Sequence, residues 1–276
     1  MIKFLRSGSF FLSLREKHTV NMKDFLSLKD ASSALFDLFL PRTCVACGRE
    51  LGVHEKHLCI YCRSDIPLSY NWERTHNRMA DRFNERIQEG LSPATREPYA
   101  YAACLLRYSS DSGFKEVPQS LKYRYNVSGG RYFAGMLGRF LAASAHFSDV
   151  DLVIPVPLHF LRLWKRGYNQ AEVIAREVAS ALGAPLSTRL LYRRRYTRTQ
   201  TKTAVSMKGR NVGGAFALRS RALRPFALSS GTVRHILLID DVFTTGATLY
   251  ACFSALRAAF PPPVRISVAT LAALER

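Results

Sequence analysis

Apolar and polar positions alternate in two different rhythms along this chain, and the change of rhythm divides it. The stretch "NWERTHNRMADRFNERIQEGL" (71–91) is polar and helix-prone, and Pro93 and Pro98 punctuate its end. From Tyr99 onward strands and helices take turns. "YAYAACLLRY" reads as a strand, "RYFAGMLGRFLAASA" has helical spacing, and "DVDLVIPVP" is a short β-branched run stopped by prolines. "NQAEVIAREVASALG" is an amphipathic helix with glycine past its end. "RHILLI" has the β-branched content of a buried strand. "ATLYACFSALRAAF" is helical and stops before three prolines, and "VRISVATLA" is a final strand. Strands alternating with helices predict an α/β fold with a parallel sheet and flanking helices. No internal repeat is visible.

Composition changes this picture little. The 276 residues are 47% hydrophobic, which suits a packed core. No apolar run reaches the roughly 18–20 residues of a membrane span. The opening "MIKFLRSGSFFLSLREKHTV" is a poor signal peptide, because serines interrupt its apolar patch and it lacks a small-residue cleavage pattern. Residues 1–33 read as a disordered or partly helical tail, or as sequence upstream of a start at Met22, and a cytoplasmic location is expected.

Charge changes it more. There are 40 Lys and Arg against 21 Asp and Glu, a formal net charge of +19. Such an excess favours phosphate-bearing partners, nucleotide or nucleic acid. Between Glu177 and Asp240 there is no acid at all. That window holds Arg193, Arg194, Arg195, Arg198 and Lys202, with Tyr192 and Tyr196 among them. Arginines interleaved with aromatics suit a single-stranded nucleic acid.

Cys44, Cys47, Cys59 and Cys62 form two C-x-x-C pairs, "CVAC" and "CIYC". Each two-residue gap lets a tight turn aim two thiolates at one point, and two such turns close a tetrahedral Zn²⁺ site. A structural Zn²⁺ ribbon over 34–68 is the expectation, with two disulfides as the alternative. His54 and His57 read as surface residues, and Cys104 and Cys252 as core thiols.

The strand "RHILLI" runs into Asp240 and Asp241, and "TTGAT" (Thr244, Thr245, Gly246, Ala247, Thr248) lies just beyond and opens a helix. Ligands of parallel α/β sheets bind at the carboxyl ends of strands. Backbone N–H groups at a helix start cradle a phosphate, and Gly246 admits it close to the chain. The acids are placed to accept hydrogen bonds from vicinal hydroxyls. A ribose 5-phosphate meets both demands. The acids could instead cap the turn.

"HILLIDDVFTTGAT" resembles the phosphoribosyl pyrophosphate signature of type I phosphoribosyltransferases. "IPVPLHFLRLWKRGYNQA" (154–171) resembles a segment of the competence protein ComF family, which includes GntX-type proteins. So do Thr197, Gln200, Asn211, Gly214, Ala215 and Phe216, the "LFLPRTCVACG" knuckle and the "SLKYRY" element. The likeness runs from about Ala34 to the C-terminus. Arg210 abutting Asn211, and Phe160 in place of a common proline, depart from it.

The resemblance implies a type I phosphoribosyltransferase-like domain over 99–276, behind a connector over 69–98. It implies Mg²⁺ with phosphoribosyl pyrophosphate, and Asp240 and Asp241 as catalytic. A pyrophosphate site is implied at His159, Arg162, Lys165 and Arg166, with Lys122 as a further contact and 196–213 as a mobile hood. Plainer readings stand beside these: His159 as a structural histidine, Arg166, Asn169 and Gln170 as helix-end groups, Lys122 as a surface lysine. The family's association with natural transformation implies DNA-uptake proteins and single-stranded DNA as partners. The alternative is a phosphoribosyltransferase of base or nucleotide salvage without a DNA role.

Overall fold

The computed structural model describes residues 42–90, 96–109, 111–194, 214–227 and 233–274. The expected tail, Arg195, Arg198, Lys202 and the hood at 196–213 lie outside the described residues.

Four strands make a wholly parallel sheet: β1 (Ala102–Tyr108), β2 (Leu152–Pro155), β5 (His235–Phe243) and β6 (Arg265–Leu274), in the order β1-β6-β5-β2. A short antiparallel pair, β3 (Leu191–Arg193) and β4 (Phe216–Leu218), stands apart, and α7 (Ser220–Ala227) comes after β4 in the chain. The sheet is covered on both sides, and the period-2 alternation of β5 shows it. Leu237 and Ile239 enter one buried cluster, Ile236 and Leu238 the other. All four are fully buried, which is why the run is continuously apolar rather than alternating.

On the first face lie α4 (Val127–Ala143) and α6 (Gln170–Leu182), through Phe133, Leu137, Ile174 and Val178. On the second lie α2 (Arg78–Glu89) and α8 (Ala247–Arg257), through Phe83, Ile87, Leu249 and Phe253. The stretch expected to be a connector thus supplies one of the covering helices. Its Met79, Ala80, Phe83 and Ile87 are buried at helical spacing. Asn77 caps it by accepting from the Met79 and Ala80 N–H groups, and its side-chain N–H reaches the Ala102 carbonyl of β1 at 3.0 Å. Asn84 exchanges two hydrogen bonds with the Ala100 backbone. Two asparagines therefore clamp α2 to the sheet edge.

The four-cysteine region also packs on the main body. Cys44, Ala46, Leu58 and Cys59 share the first-face cluster with Phe114 and Leu121. Among the described residues no helix is long and apolar enough to cross a membrane.

Candidate functional site

The acids were expected beyond the strand, but they lie on it. Pairing with β6 continues past Ile239, with Asp240 opposite Thr270 and Val242 opposite Ala272, so β5 ends only at Phe243. Consecutive strand residues face opposite ways, and the two carboxylates consequently meet different surroundings.

Asp241 faces the side of α3 (Glu116–Tyr123), where Lys122 Nζ donates to its Oδ2 at 2.9 Å. The Lys122 side chain is 24% exposed and that of Asp241 13%, so Lys122 is no mere surface lysine. Burial disfavours its charge, but Asp241 and then Asp240 outweigh that and hold its pKa above the ordinary value.

Asp240 faces the side of β3 and α8. Burial and the neighbouring Asp241 carboxylate push its pKa up to about 7, against the Asp241 N–H, Lys122 and Arg193. Its Oδ1 accepts from the Asp241 N–H at 2.9 Å, inside the strand. It is thus tied to its own neighbour rather than serving as a cap for the threonine turn. Cys252 is a core thiol on this side, and burial and Asp240 raise its pKa.

The turn comes next. Thr244 and Thr245 are exposed while Gly246 is buried with φ +70°. A Cβ at Gly246 would lie 3.0 Å from the Phe243 ring, so glycine is required twice over. Gly246 is the residue before α8 and has no side chain to cap it, while the Ala247 N–H donates to Thr245 Oγ1 at a long 3.5 Å. The first N–H groups of α8 and the positive end of its dipole face a hollow of 40 Å³ lined by Asp240 and Thr244 to Thr248.

β2 pairs with β5 so that Pro155 stands opposite Ile239. This register sets the loop after β2 beside the acid pair. α5 (Phe160–Arg166) starts there, and His159 caps it, its Nδ1 accepting from the Leu161 N–H at 3.4 Å. Asn169 likewise caps α6, accepting from the Ala171 N–H, and the Arg166 Nη1–H donates to Gln170 Oε1 at 3.1 Å. The helix-end readings of His159, Asn169 and Gln170 thus describe their contacts, and Arg166 is held beside them. Arg162 is half-buried on α5 and near enough to Arg193 to depress its pKa, though burial is the larger cause.

Arg193 departs from the expected open nucleic-acid face. It is half-buried, its guanidinium lies 5.2 Å from the Phe216 ring centre, and its charge acts on Asp240. Arg194 is exposed, and its N–H donates to the Ala215 carbonyl. Sequence reasoning gave no sign that a basic run would send one member inward to the acids.

The second site is the cysteine cluster. All four thiols are free, and their Sγ atoms lie within 4.8 Å of one another. Sulfurs about 2.3 Å from one metal in tetrahedral array stand roughly 3.8 Å apart; Cys47 and Cys59 Sγ are 3.7 Å apart. The Glu55 carboxylate accepts from the Gly52 and Ile60 N–H groups and ties the intervening loop to α1 (Ile60–Ser64), which begins right after Cys59. The cluster fits a structural metal ion. His57 is half-buried against Tyr132, with ring centres 5.1 Å apart, rather than on the surface.

A parallel sheet covered on both faces, an acid pair near the end of a central strand, a glycine turn opening a helix and a four-cysteine cluster ahead of the sheet define an α/β protein. The chain is 34% identical over 108 residues to competence protein F of Haemophilus influenzae, 39% of this chain and 44% of that one. It is 32% identical over 99 residues to the DNA utilization protein YhgH of Salmonella typhi, 36% of this chain and 40% of that one. The Escherichia coli K12 YhgH protein matches at 30%. The chain is similar to these proteins over part of its length, and each alignment spans less than half of the relative. No protein-family model matches the chain. A solved structure described as the allosteric regulatory enzyme of purine biosynthesis overlaps 50% of this chain and 25% of its own, at 22% identity and a TM-score of 0.30. That overlap is too loose to bear on the fold, which rests on strand order and register.

Proposed function

We propose that the chain binds the ribose 5-phosphate moiety of phosphoribosyl pyrophosphate at the end of β5 and serves DNA uptake as a ComF-type protein of the cytoplasm. One observation carries the sugar-phosphate half: two adjacent carboxylates near the end of a buried strand, which a short threonine turn joins to a helix opened by a left-handed glycine. The 5-phosphate sits in the hollow of Thr244 to Thr248, on the N–H groups that open α8. The ribose hydroxyls donate to Asp240 and Asp241.

Mg²⁺ fits this site because two carboxylates stand side by side there, and burial and then the Asp241 charge raise the Asp240 pKa. A divalent cation relieves that repulsion, and carboxylate and phosphate oxygens are its usual ligands. When bound it neutralises the pyrophosphate. Arg162 and Arg193 supply positive charge beside the acids, and Lys122 holds and aims Asp241. His159 acts as a positioning residue, fixing the start of α5. A phosphoribosyl transfer needs such rigid placement and stabilisation of the departing pyrophosphate. The four cysteines hold Zn²⁺ in a structural role, since four thiolates leave no open position.

The DNA-uptake half is supported by the relatives, whose names are competence protein F and DNA utilization protein, and by the net charge of +19. Single-stranded DNA is the fitting ligand.

Calorimetric titration with phosphoribosyl pyrophosphate and Mg²⁺ tests the sugar-phosphate half. Wild type binds, and Asp240→Asn combined with Asp241→Asn abolishes binding. Equal affinity in the double variant excludes the assignment. Pyrophosphate release with a free base, together with no affinity for oligonucleotide at low salt, replaces the uptake role with salvage.

A further inference from the structure

The hollow at the threonine turn does not stand alone. A second hollow of 240 Å³ is lined by Thr244 and Thr245 at one end and by Arg82 and Arg86 of α2 at the other. A third, of 220 Å³, takes up at Arg82 and adds Arg74, Arg78 and Arg107, with Phe243 and Leu274 as its floor. The three share lining residues in sequence, so they form a continuous path from the phosphate turn along α2 to the ends of β1 and β6. Glu85 and Glu89 line only the middle hollow, which makes the far one the most positive.

The spacing is regular. Arg78, Arg82 and Arg86 are four residues apart on one helix and thus form a ridge about 6 Å per step along its axis. Arg74 precedes them at the same interval, in the segment just ahead of the helix. The ridge flanks the buried stripe of Met79, Phe83 and Ile87. Asp81, Glu85 and Glu89 follow the three arginines at i+3 and offset their mutual repulsion on the helix. Asn77 and Asn84 clamp the helix to the sheet edge, so the guanidiniums stand on a rigid support.

We propose that this arginine ridge carries the phosphodiester backbone of a single DNA strand and leads it to the threonine turn. Guanidinium groups match phosphate geometry, and a positively charged path along the backbone is how single strands are held without regard to sequence. An anionic membrane is the weaker candidate. A helix lying on lipid exposes an apolar face, whereas the apolar face of α2 is buried on the sheet. The inference rests on the reading of single-stranded DNA as a ligand, and it assigns that ligand to other residues than Arg193 to Lys202.

The test is fluorescence anisotropy of a labelled oligothymidylate over a salt series. It compares wild type, a triple Arg74→Gln/Arg82→Gln/Arg86→Gln variant and the matching triple Lys variant, each checked for wild-type circular dichroism. Three lost phosphate contacts weaken binding about tenfold at low salt and flatten the log–log salt slope by about 2. The Lys triple keeps most of the affinity and the slope. A Gln triple with wild-type affinity and slope overturns the ridge and leaves the single-strand reading standing. A wild type that ignores the oligonucleotide at low salt overturns both. Binding to phosphatidylserine vesicles but not to the oligonucleotide also overturns the proposal, in favour of a lipid surface. If the Gln triple misfolds, Arg82→Glu alone is measured, and an unchanged salt slope there counts against the ridge.

Discussion

The two ends of β5 each carry an ionisable group, and the groups are treated in opposite ways. At the start, His235 is 1% exposed and fully partnered. Its Nδ1–H donates to Asp149 Oδ1 and its Nε2 accepts from Ser267 Oγ, both at 2.7 Å, and Ser267 Oγ in turn accepts from the Tyr101 N–H. Burial lowers its pKa below 6.5, against the pull of Asp149, so it is neutral and bonded at both nitrogens. At the finish, Asp240 is pressed against a second acid and raised to about 7. One end uses its polar groups to hold the sheet together. The other sets two carboxylates side by side at the lip of a hollow, Asp241 paired with Lys122 and Asp240 raised by burial and its neighbour.

Breaking the first end has the largest effect on stability. His235→Ala removes a buried ring and orphans the Ser267 hydroxyl, at a cost of about 3–4 kcal/mol in denaturant unfolding. Phosphoribosyl pyrophosphate affinity of the folded variant stays at the wild-type value. Gly246→Ala acts at the other end. Alanine in the left-handed region and a Cβ against Phe243 cost roughly 2–3 kcal/mol, and ligand affinity falls further than stability does. Lys122→Met strands Asp241 beside Asp240 and costs about 2 kcal/mol. It also drives Asp240 to a higher pKa, which the pH dependence of unfolding reads out.

The smallest effect has the opposite sign. A carboxyl raised from 3.8 to about 7 stabilises the fold only while protonated. That contribution is complete below pH 4 and is lost as pH rises through 7. Asp240→Asn therefore gains about 1–2 kcal/mol over wild type at pH 8 and nothing near pH 4. His235 runs the other way, because its lowered pKa gives stability above pH 6.5 that is lost on acidification. The two terms oppose each other between about pH 4 and 7, and an Asp240→Asn variant less stable than wild type at pH 8 breaks the contrast.

What was legible in the sequence was local. The alternation of strands and helices, the two C-x-x-C pairs, and the acid pair with its threonine turn all sit within one or two elements, where periodicity and spacing speak directly. What was hidden depends on partners far along the chain. Whether β5 stops at Ile239 or runs to Phe243 is decided by its pairing with β6, and that extension puts Asp240 and Asp241 on opposite faces. Whether Lys122 was a site contact or a surface lysine was open in the sequence because its partner lies on another element. Arg193 looked like part of an exposed basic run, and only the short β3–β4 pair turns it towards Asp240. Met79, Phe83 and Ile87 recur at helical spacing in the supposed connector, but their polar neighbours concealed that the helix covers one face of the sheet.

The central claim is that the end of β5 is a sugar-phosphate site. Crystals grown with ribose 5-phosphate address it most directly. The account predicts phosphate density against the N–H groups of Thr244 to Thr248, with the ribose hydroxyls within hydrogen-bond distance of Asp240 and Asp241. Well-ordered sugar bound elsewhere, with the turn empty and both carboxylates facing away from it, contradicts the account.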